Sequence, residues 1–194
     1  MMARRKGLTF YQKKKKLNIV LLKEIISWVF WIFASILLAV VTVYCVGMQT
    51  SVIGASMEPS LYNGQDIFLN RLVYHVSSPK TGDVVVFLPN GNEKSHYYVK
   101  RIVGVPGDTL CVKKGILYVN GSAVEEYFND IIAEPGLLEN ELTLEADEYF
   151  VIGDNCNNSE DSRSANIGSV KKEYIIGKAW FKMASGDSEM GLIE

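Results

Sequence analysis

The sequence has few of the side chains that most often build metal centres and nucleophile–histidine pairs. Its 194 residues include three cysteines and two histidines. Neither a Cys-x-x-Cys nor a His-Glu-x-x-His spacing occurs, although such spacings mark many protein zinc sites. His75 and His96 are isolated, and neither has a carboxylate in an obvious orienting position. The sequence therefore argues against a metal-dependent mechanism and offers little support for histidine as a catalytic base.

Acidic residues are missing from the start of the chain. Residues 1–23 contain eight of the twenty basic residues and no acidic one, whereas the chain from Glu24 onward contains twelve basic and twenty-two acidic residues. A basic tail suits either nucleic acid or an anionic membrane surface. The segment that follows the tail decides between them in favour of the membrane.

That segment, Ile25 to Gly47, has no charged side chain over 23 residues. As a helix it would extend roughly 34 Å, enough to cross a hydrocarbon core of about 30 Å. Trp28 and Trp31 lie near its start and Tyr44 near its end, where amphipathic rings favour the membrane interface. Basic residues at one end only predict a cytoplasmic N-terminus. A buried core helix and a cleavable signal peptide are the alternatives, and the run is long for either.

Beyond this segment the hydrophobic pattern changes to a period of two. Short β-branched and aromatic runs bounded by turn signals predict strands over 83–88, 97–105, 109–113, 116–119, 149–152 and 177–183. Asn120-Gly121 is a strong hairpin signal, because both residues tolerate a positive φ. No helical stripe long enough to cross a parallel sheet occurs. We therefore predict a mostly β, antiparallel domain.

The chain is thus predicted to have four parts. They are a basic cytoplasmic tail (1–24), a transmembrane helix (25–47), an extracytoplasmic β-rich domain (48–186) and a C-terminal tail (187–194). In this arrangement Cys111 and Cys156 would share an oxidising compartment, and the sequence leaves open whether they pair.

A serine and a lysine are the residues best placed to act as nucleophile and base. Ser56 lies just past the apolar run, between Gly54 and Pro59. A serine hydroxyl needs a base to remove its proton, and lysine can serve if its pKa, ordinarily about 10.4, is lowered by burial. Lys100 lies in Tyr97–Val105, the most apolar β run that carries a lysine. A lysine in a strand is more often half-exposed than catalytic, so the residues alone leave this assignment open.

Three segments resemble the sequence boxes of bacterial type I signal peptidases. Residues 56–61 (Ser-Met-Glu-Pro-Ser-Leu) resemble the serine box, and residues 100–108 resemble the lysine box. Gly153-Asp-Asn155 followed by residues 159–163 resembles the third box. The segments occur in the family's order, and the resemblance covers residues 25–185. It implies a membrane-bound serine endopeptidase with the antiparallel β fold shared with SOS-response repressors, and it implies no cofactor.

The resemblance also implies a role for individual residues. Ser56 matches the nucleophile and Lys100 the general base. The supporting matches are Ser159, whose hydroxyl would orient the lysine amine, and two ion pairs, Asp161 with Arg163 and Asp154 with Arg101. The residues predicted to contact substrate are Val52, Ile53, Met57, Leu61, Tyr98 and Val99. Gly54 departs from the best-studied pattern, because that position can carry a hydroxyl that completes the oxyanion hole. The hole would then rest on the Ser56 N–H and another backbone donor or water.

The implied substrates are secreted preproteins, cut after small-x-small, Ala-x-Ala-like segments. The implied location is the plasma membrane, near the translocation channel, with no nucleic-acid partner. An extended peptide could add as a strand along residues 52–55 and 97–99. Two alternatives remain. One is a membrane-anchored β domain that binds partners without catalysis, against which the intact serine and lysine segments argue. The other is a self-cleaving Ser-Lys repressor, which would have a DNA-binding domain in place of the apolar run.

Overall fold

The computed structural model describes residues 19–124, 126–128, 130–186 and 188–193. Most of the predicted basic tail, residues 1–18, lies outside the described residues, as do positions 187 and 194 of the predicted C-terminal tail. The chain divides between Val41 and Thr42 into two compact units.

The N-terminal helix, α1 (Ile19–Val46), is long and apolar enough to cross a membrane. It begins before the predicted boundary at Ile25 and includes Lys23 and Glu24. Both residues are good helix formers, so the end of the uncharged run does not end the helix. The last turn is closed by the Gly47 N–H, which donates to the Val43 carbonyl at 2.8 Å.

The remainder of the described chain is mainly antiparallel β structure, as predicted. Its strands are β1 (Met48–Ser51), β2 (Asp66–Asn70), β3 (Val84–Phe87), β4 (Tyr98–Gly104), β5 (Thr109–Lys113), β6 (Ile116–Val119), β7 (Ser122–Val124), β8 (Leu142–Thr143), β9 (Glu148–Ile152), β10 (Val170–Lys171), β11 (Ile175–Lys182) and β12 (Gly191–Leu192). A short helix, α2 (Val73–Val76), follows β2. The strands form one sheet in the order β1-β2-β11-β3-β4-β9-β10, with β12 paired to β11, and a second in the order β7-β6-β5-β8.

The six predicted strands correspond to β3, β4, β5, β6, β9 and β11, with shifts only at their ends. The hairpin prediction is also confirmed, since Asn120 and Gly121 join β6 to β7 with φ of 52° and 80°. The other strands and the division into two sheets were not predicted. The unpredicted strands are at most five residues long, and such runs give little periodic signal.

The main sheet is covered on both faces. Val84 and Val86 of β3 belong to one buried cluster with Met57 and Leu61. Val85 and Phe87 belong to another, on the opposite side, because successive strand side chains point to opposite faces. A third cluster joins the second sheet to the first: it includes Leu110 and Leu117 from the second sheet and Phe150 and Ile152 from the first. β4, which carries Lys100, therefore lies in the interior of the domain.

The two cysteines of this domain do not pair. Cys111 in β5 and Cys156 in the turn after β9 are both buried free thiols. The question that the sequence left open is answered here for the folded chain.

Candidate active site

Ser56 lies in the loop that joins β1 to β2. The two ends of the loop are tied together, because the Val52 N–H donates to the Gln65 carbonyl and the Gly64 N–H donates to the Val52 carbonyl, both at 2.8 Å. Met57 and Leu61 are fully buried beneath the loop and fix it to the core. Burial of these side chains next to Ser56 leaves the serine little freedom to move.

Lys100 reaches this serine from the middle of β4. Its partner in β3 is Val85, and its Nζ donates a hydrogen bond to Ser56 Oγ at 2.6 Å. Only 5% of Lys100 and 8% of Ser56 is exposed. The Tyr98 ring, on the same face of β4, has its centroid 5.5 Å from the amine. A lysine amine and a serine hydroxyl are thus in direct contact and shielded from most of the solvent.

The surroundings of Lys100 lower its pKa to about 8 from an ordinary 10.5. Burial is the main cause, because it removes water from the charged amine. The carboxylates of Asp161 and Glu160 oppose this effect and raise the pKa, while Arg163 lowers it. A substantial fraction of the amine is therefore neutral near pH 8, and only the neutral form can accept a proton from Ser56.

Two buried ion pairs hold the segments around the lysine. The Arg101 guanidinium donates to both carboxylate oxygens of Asp154 at 2.8 Å. Arg163 binds Asp161 in the same two-pronged way, at 2.8 and 2.9 Å. Such forked pairs fix geometry as well as charge. The first pair joins β4 to the turn after β9, and the second lies within the loop that carries residues 159–163.

Gly153 allows the closest approach in the site. A Cβ at this position would lie 2.3 Å from the Ser56 carbonyl oxygen and 2.4 Å from Ser159 Oγ. Only glycine fits between the serine loop and the segment after β9. The sequence marks Gly153 only as part of the third box and gives no sign of this packing role.

Asn155, which also belongs to the third box, contacts the serine loop twice. Its side-chain Nδ2 donates to the Ala55 carbonyl at 3.1 Å, and its backbone N–H donates to the Ser56 carbonyl at 3.0 Å. No sequence pattern signals these contacts, because they join residues about a hundred positions apart.

The Ser159 hydroxyl does not bond to the lysine amine as the resemblance implied. Its oxygen is buried and has no hydrogen-bond partner within the described part of the chain. The amine of Lys100 donates to Ser56 instead. Ser159 nevertheless lies beside the site, packed against Gly153, so its predicted role remains a prediction.

A cleft of about 300 Å³ opens over the serine and lysine. Three residues predicted to contact substrate line it: Ile53, Tyr98 and Val99. The other three lie in the buried core of the main sheet: Val52, Met57 and Leu61. These three side chains pack in the core and do not line the cleft, because they anchor the loop that carries Ser56. Cleft residues that the sequence did not indicate are His96, Asn158 and Glu160.

A serine hydroxyl bonded to a buried lysine of lowered pKa is the arrangement that hydrolases with a Ser-Lys pair use. Comparison with known proteins narrows the class. The family described as "Signal peptidase, peptidase S26" matches residues 25–184. The chain therefore belongs to the signal peptidase family, peptidase S26, and is a serine peptidase.

Individual relatives agree with this family. The chain is 36% identical over 178 residues to signal peptidase I P of Bacillus subtilis subsp. natto, covering 86% of this chain and 89% of the relative. It is 35% identical over 176 residues to signal peptidase I T of Bacillus subtilis (strain 168), with 87% of each chain covered. A crystal structure of a signal peptidase I from Enterococcus faecalis V583 is similar at 28% identity and a TM-score of 0.43, over 53% of this chain and 97% of that one.

Proposed function

We propose that this chain removes signal peptides from secreted preproteins, with Ser56 as nucleophile and Lys100 as general base. The observation that carries the proposal is the 2.6 Å hydrogen bond from Lys100 Nζ to Ser56 Oγ. It lies under an open cleft, and the pKa of the lysine is about 8. An ordinary surface lysine, with its pKa near 10.4, would be almost fully protonated and unable to act as a base.

The proposed reaction proceeds through an acyl-enzyme. Neutral Lys100 takes the Ser56 proton as Oγ attacks the scissile carbonyl carbon, and the carbonyl oxygen becomes an oxyanion. The protonated amine then gives its proton to the leaving amine, which departs as the new N-terminus of the mature protein. Lys100, neutral again, removes a proton from the water that attacks the Ser56 ester, and it returns this proton to Ser56 Oγ as the acyl group leaves. The Ser56 N–H is the proposed oxyanion donor.

The cleft is placed to accept an extended peptide. Residues 53–55 and 97–99 line it, and a peptide between them could pair with their backbone as an added strand. Residues 52–55 do not form a regular strand, and within the described chain the Ile53 N–H and carbonyl make no backbone hydrogen bond, so these two groups remain available to a substrate. We propose Ala-x-Ala-like segments as the preferred sequences.

The helix α1 would make cleavage of a membrane-embedded signal peptide more efficient. Ser56 follows the end of this helix by ten residues of sequence, so the site and a membrane-embedded signal peptide would be held at one surface. Restricting both to the same surface raises the effective concentration without new contacts. We propose that the protein is anchored in the plasma membrane, with its N-terminus in the cytoplasm and its catalytic domain outside. We also propose that it acts near the translocation channel.

The test is cleavage of a preprotein with an Ala-x-Ala site by the detergent-purified full chain. Ser56→Ala and Lys100→Met are compared with Lys113→Met, which removes a solvent-exposed lysine of β5. We expect cleavage by the wild type and Lys113→Met, and loss of at least a hundredfold in the other two. Equal activity of Lys100→Met would refute the assigned base. A wild type that is inert but binds preproteins would favour the partner-binding alternative.

A further inference from the structure

Asn155 holds the two peptide groups on either side of Ser56. The side-chain amide donates to the Ala55 carbonyl at 3.1 Å, which belongs to the peptide group that ends in the Ser56 N–H. The Asn155 N–H donates to the Ser56 carbonyl at 3.0 Å, which belongs to the next peptide group. The Ala55 carbonyl also accepts the Glu58 N–H, at a longer 3.2 Å. Asn155 therefore contributes the shorter of two bonds to the first peptide plane and a bond to the second.

Fixing the Ala55 carbonyl also fixes the direction of the Ser56 N–H. A trans peptide group is planar, and its C=O and N–H point in opposite directions. A hydrogen bond that holds the carbonyl toward Asn155 therefore turns the Ser56 N–H the other way. Rotation of this plane would move the N–H without displacing Ser56 Oγ very far.

The Ser56 N–H remains available as a donor. Within the described part of the chain, it makes no hydrogen bond to any backbone or side-chain acceptor. The neighbouring Gly54 N–H is already used, because it donates to Asn63 Oδ1 at 2.8 Å. Gly54 also has no hydroxyl to offer, so the Ser56 N–H bears a larger share of any charge that develops on the substrate oxygen.

We infer that Asn155 is a positioning residue that aims the Ser56 N–H at the transition-state oxyanion, an inference that rests on the proposed function. It acts through the Ala55–Ser56 peptide group and touches neither substrate nor Lys100. Removing an oxyanion donor outright costs about 10²–10³ in rate. Because loss of Asn155 misaims the donor and leaves it in place, we expect a loss of about 10- to 100-fold in kcat.

The test compares two substitutions with a matched control in the full-length protein. Asn155→Ala removes the side-chain donor. Asn155→Asp keeps the shape but cannot donate to the Ala55 carbonyl when ionised. Asn157→Ala is the control, since Asn157 belongs to the same turn and bonds to the backbone of Ile131 and Ala133, away from the serine loop.

Each variant is assayed for kcat, KM and melting temperature, and for inhibition by an Ala-x-Ala peptide aldehyde. Ser56 Oγ adds to the aldehyde carbon, its proton passes to Lys100, and the aldehyde oxygen becomes an oxyanion in the same hole. We expect both Asn155 variants to lose kcat and aldehyde affinity by the same factor, with KM within about twofold of wild type. The Asn157 control should keep the wild-type kcat, KM and aldehyde affinity.

Wild-type kcat in either folded Asn155 variant would refute the inference. So would a loss of kcat with unchanged aldehyde affinity, because the oxyanion would then not depend on Asn155. If Asn155→Ala does not fold, Asn155→Asp decides the question alone. Failure of the proposed function is recognised separately, as a wild type that cleaves no preprotein, and it would remove this inference as well.

Discussion

Replacing Gly153 by alanine tests the packing of the site with one added methyl group. The new Cβ would lie 2.3 Å from the Ser56 carbonyl oxygen and 2.4 Å from Ser159 Oγ, whereas ordinary contacts begin at 3.4 Å. The first of these neighbours is backbone and cannot rotate away. The serine loop or the segment after β9 must therefore move by about 1 Å, the difference between the built and the ordinary contact.

The size of the effect follows from that displacement. Misplacement of reacting groups by about 1 Å can cost about 10²-fold in rate. The moved atom belongs to Ser56 itself, so the hydrogen bond to Lys100 changes length or direction. Overpacking also destabilises the fold, by about 1–3 kcal/mol. We expect kcat/KM to fall by at least about a hundredfold, with a folded but less stable domain.

The assay is preprotein cleavage together with thermal unfolding, with Gly191→Ala as the matched control. Gly191 lies in β12, and a Cβ there meets nothing within 4 Å. The control should keep wild-type activity and melting temperature. If Gly153→Ala kept more than a tenth of wild-type kcat/KM, the close contact would not limit catalysis and the reasoning would be refuted.

Further predictions concern charge and burial around the site. In the wild type, kcat/KM should rise with pH through about 8, because the neutral form of Lys100 is the base. Glu160→Gln should shift this rise to lower pH, since the Glu160 carboxylate raises the pKa of Lys100; an unmoved profile would contradict that coupling. Asp154→Asn deprives the buried Arg101 guanidinium of this carboxylate and should cost about 3–5 kcal/mol in urea unfolding; a cost below about 1 kcal/mol would show that the pair is dispensable. Ser159→Ala removes a buried hydroxyl that lacks a partner among the described residues, and should leave the melting temperature unchanged or raised; a lowered melting temperature would show an unseen structural bond.

The strands could be predicted from the sequence where burial makes a simple pattern. β3 is Val84–Phe87, and both of its faces are buried, which gives an uninterrupted apolar run. The β6–β7 hairpin follows from Asn120-Gly121, whose backbone conformation is set locally. The packing of the two sheets on each other depends on a buried cluster that includes Leu110 of one sheet and Phe150 of the other. Contacts in this cluster join distant residues and leave no periodic trace in the sequence.

The chemistry of the site divides in the same way. Ser56 and Lys100 could be chosen as a pair only with the help of the family resemblance, because apolar neighbours do not tell whether a strand lysine is half-exposed. The contacts of Gly153 and Asn155 with the serine loop could not be predicted at all, since they depend on how the turn after β9 meets that loop. The residues assigned to substrate illustrate the same limit: Met57 is predicted to contact substrate, whereas the fold buries its side chain in the core.

The surroundings of Lys100 combine features that work against stability with others that secure it. Burial of the amine disfavours its charged form, and the Ser159 hydroxyl is buried without a partner in the described chain; both features cost free energy in the fold. The two forked ion pairs and the doubly buried β3 hold the same region rigid. A lysine kept partly neutral near pH 8 requires such a frame, because a looser site would admit water and return the amine to its ordinary pKa. The stabilising contacts therefore lie around the Ser56–Lys100 pair, whereas burial of the Lys100 amine within the pair lowers the stability of the fold.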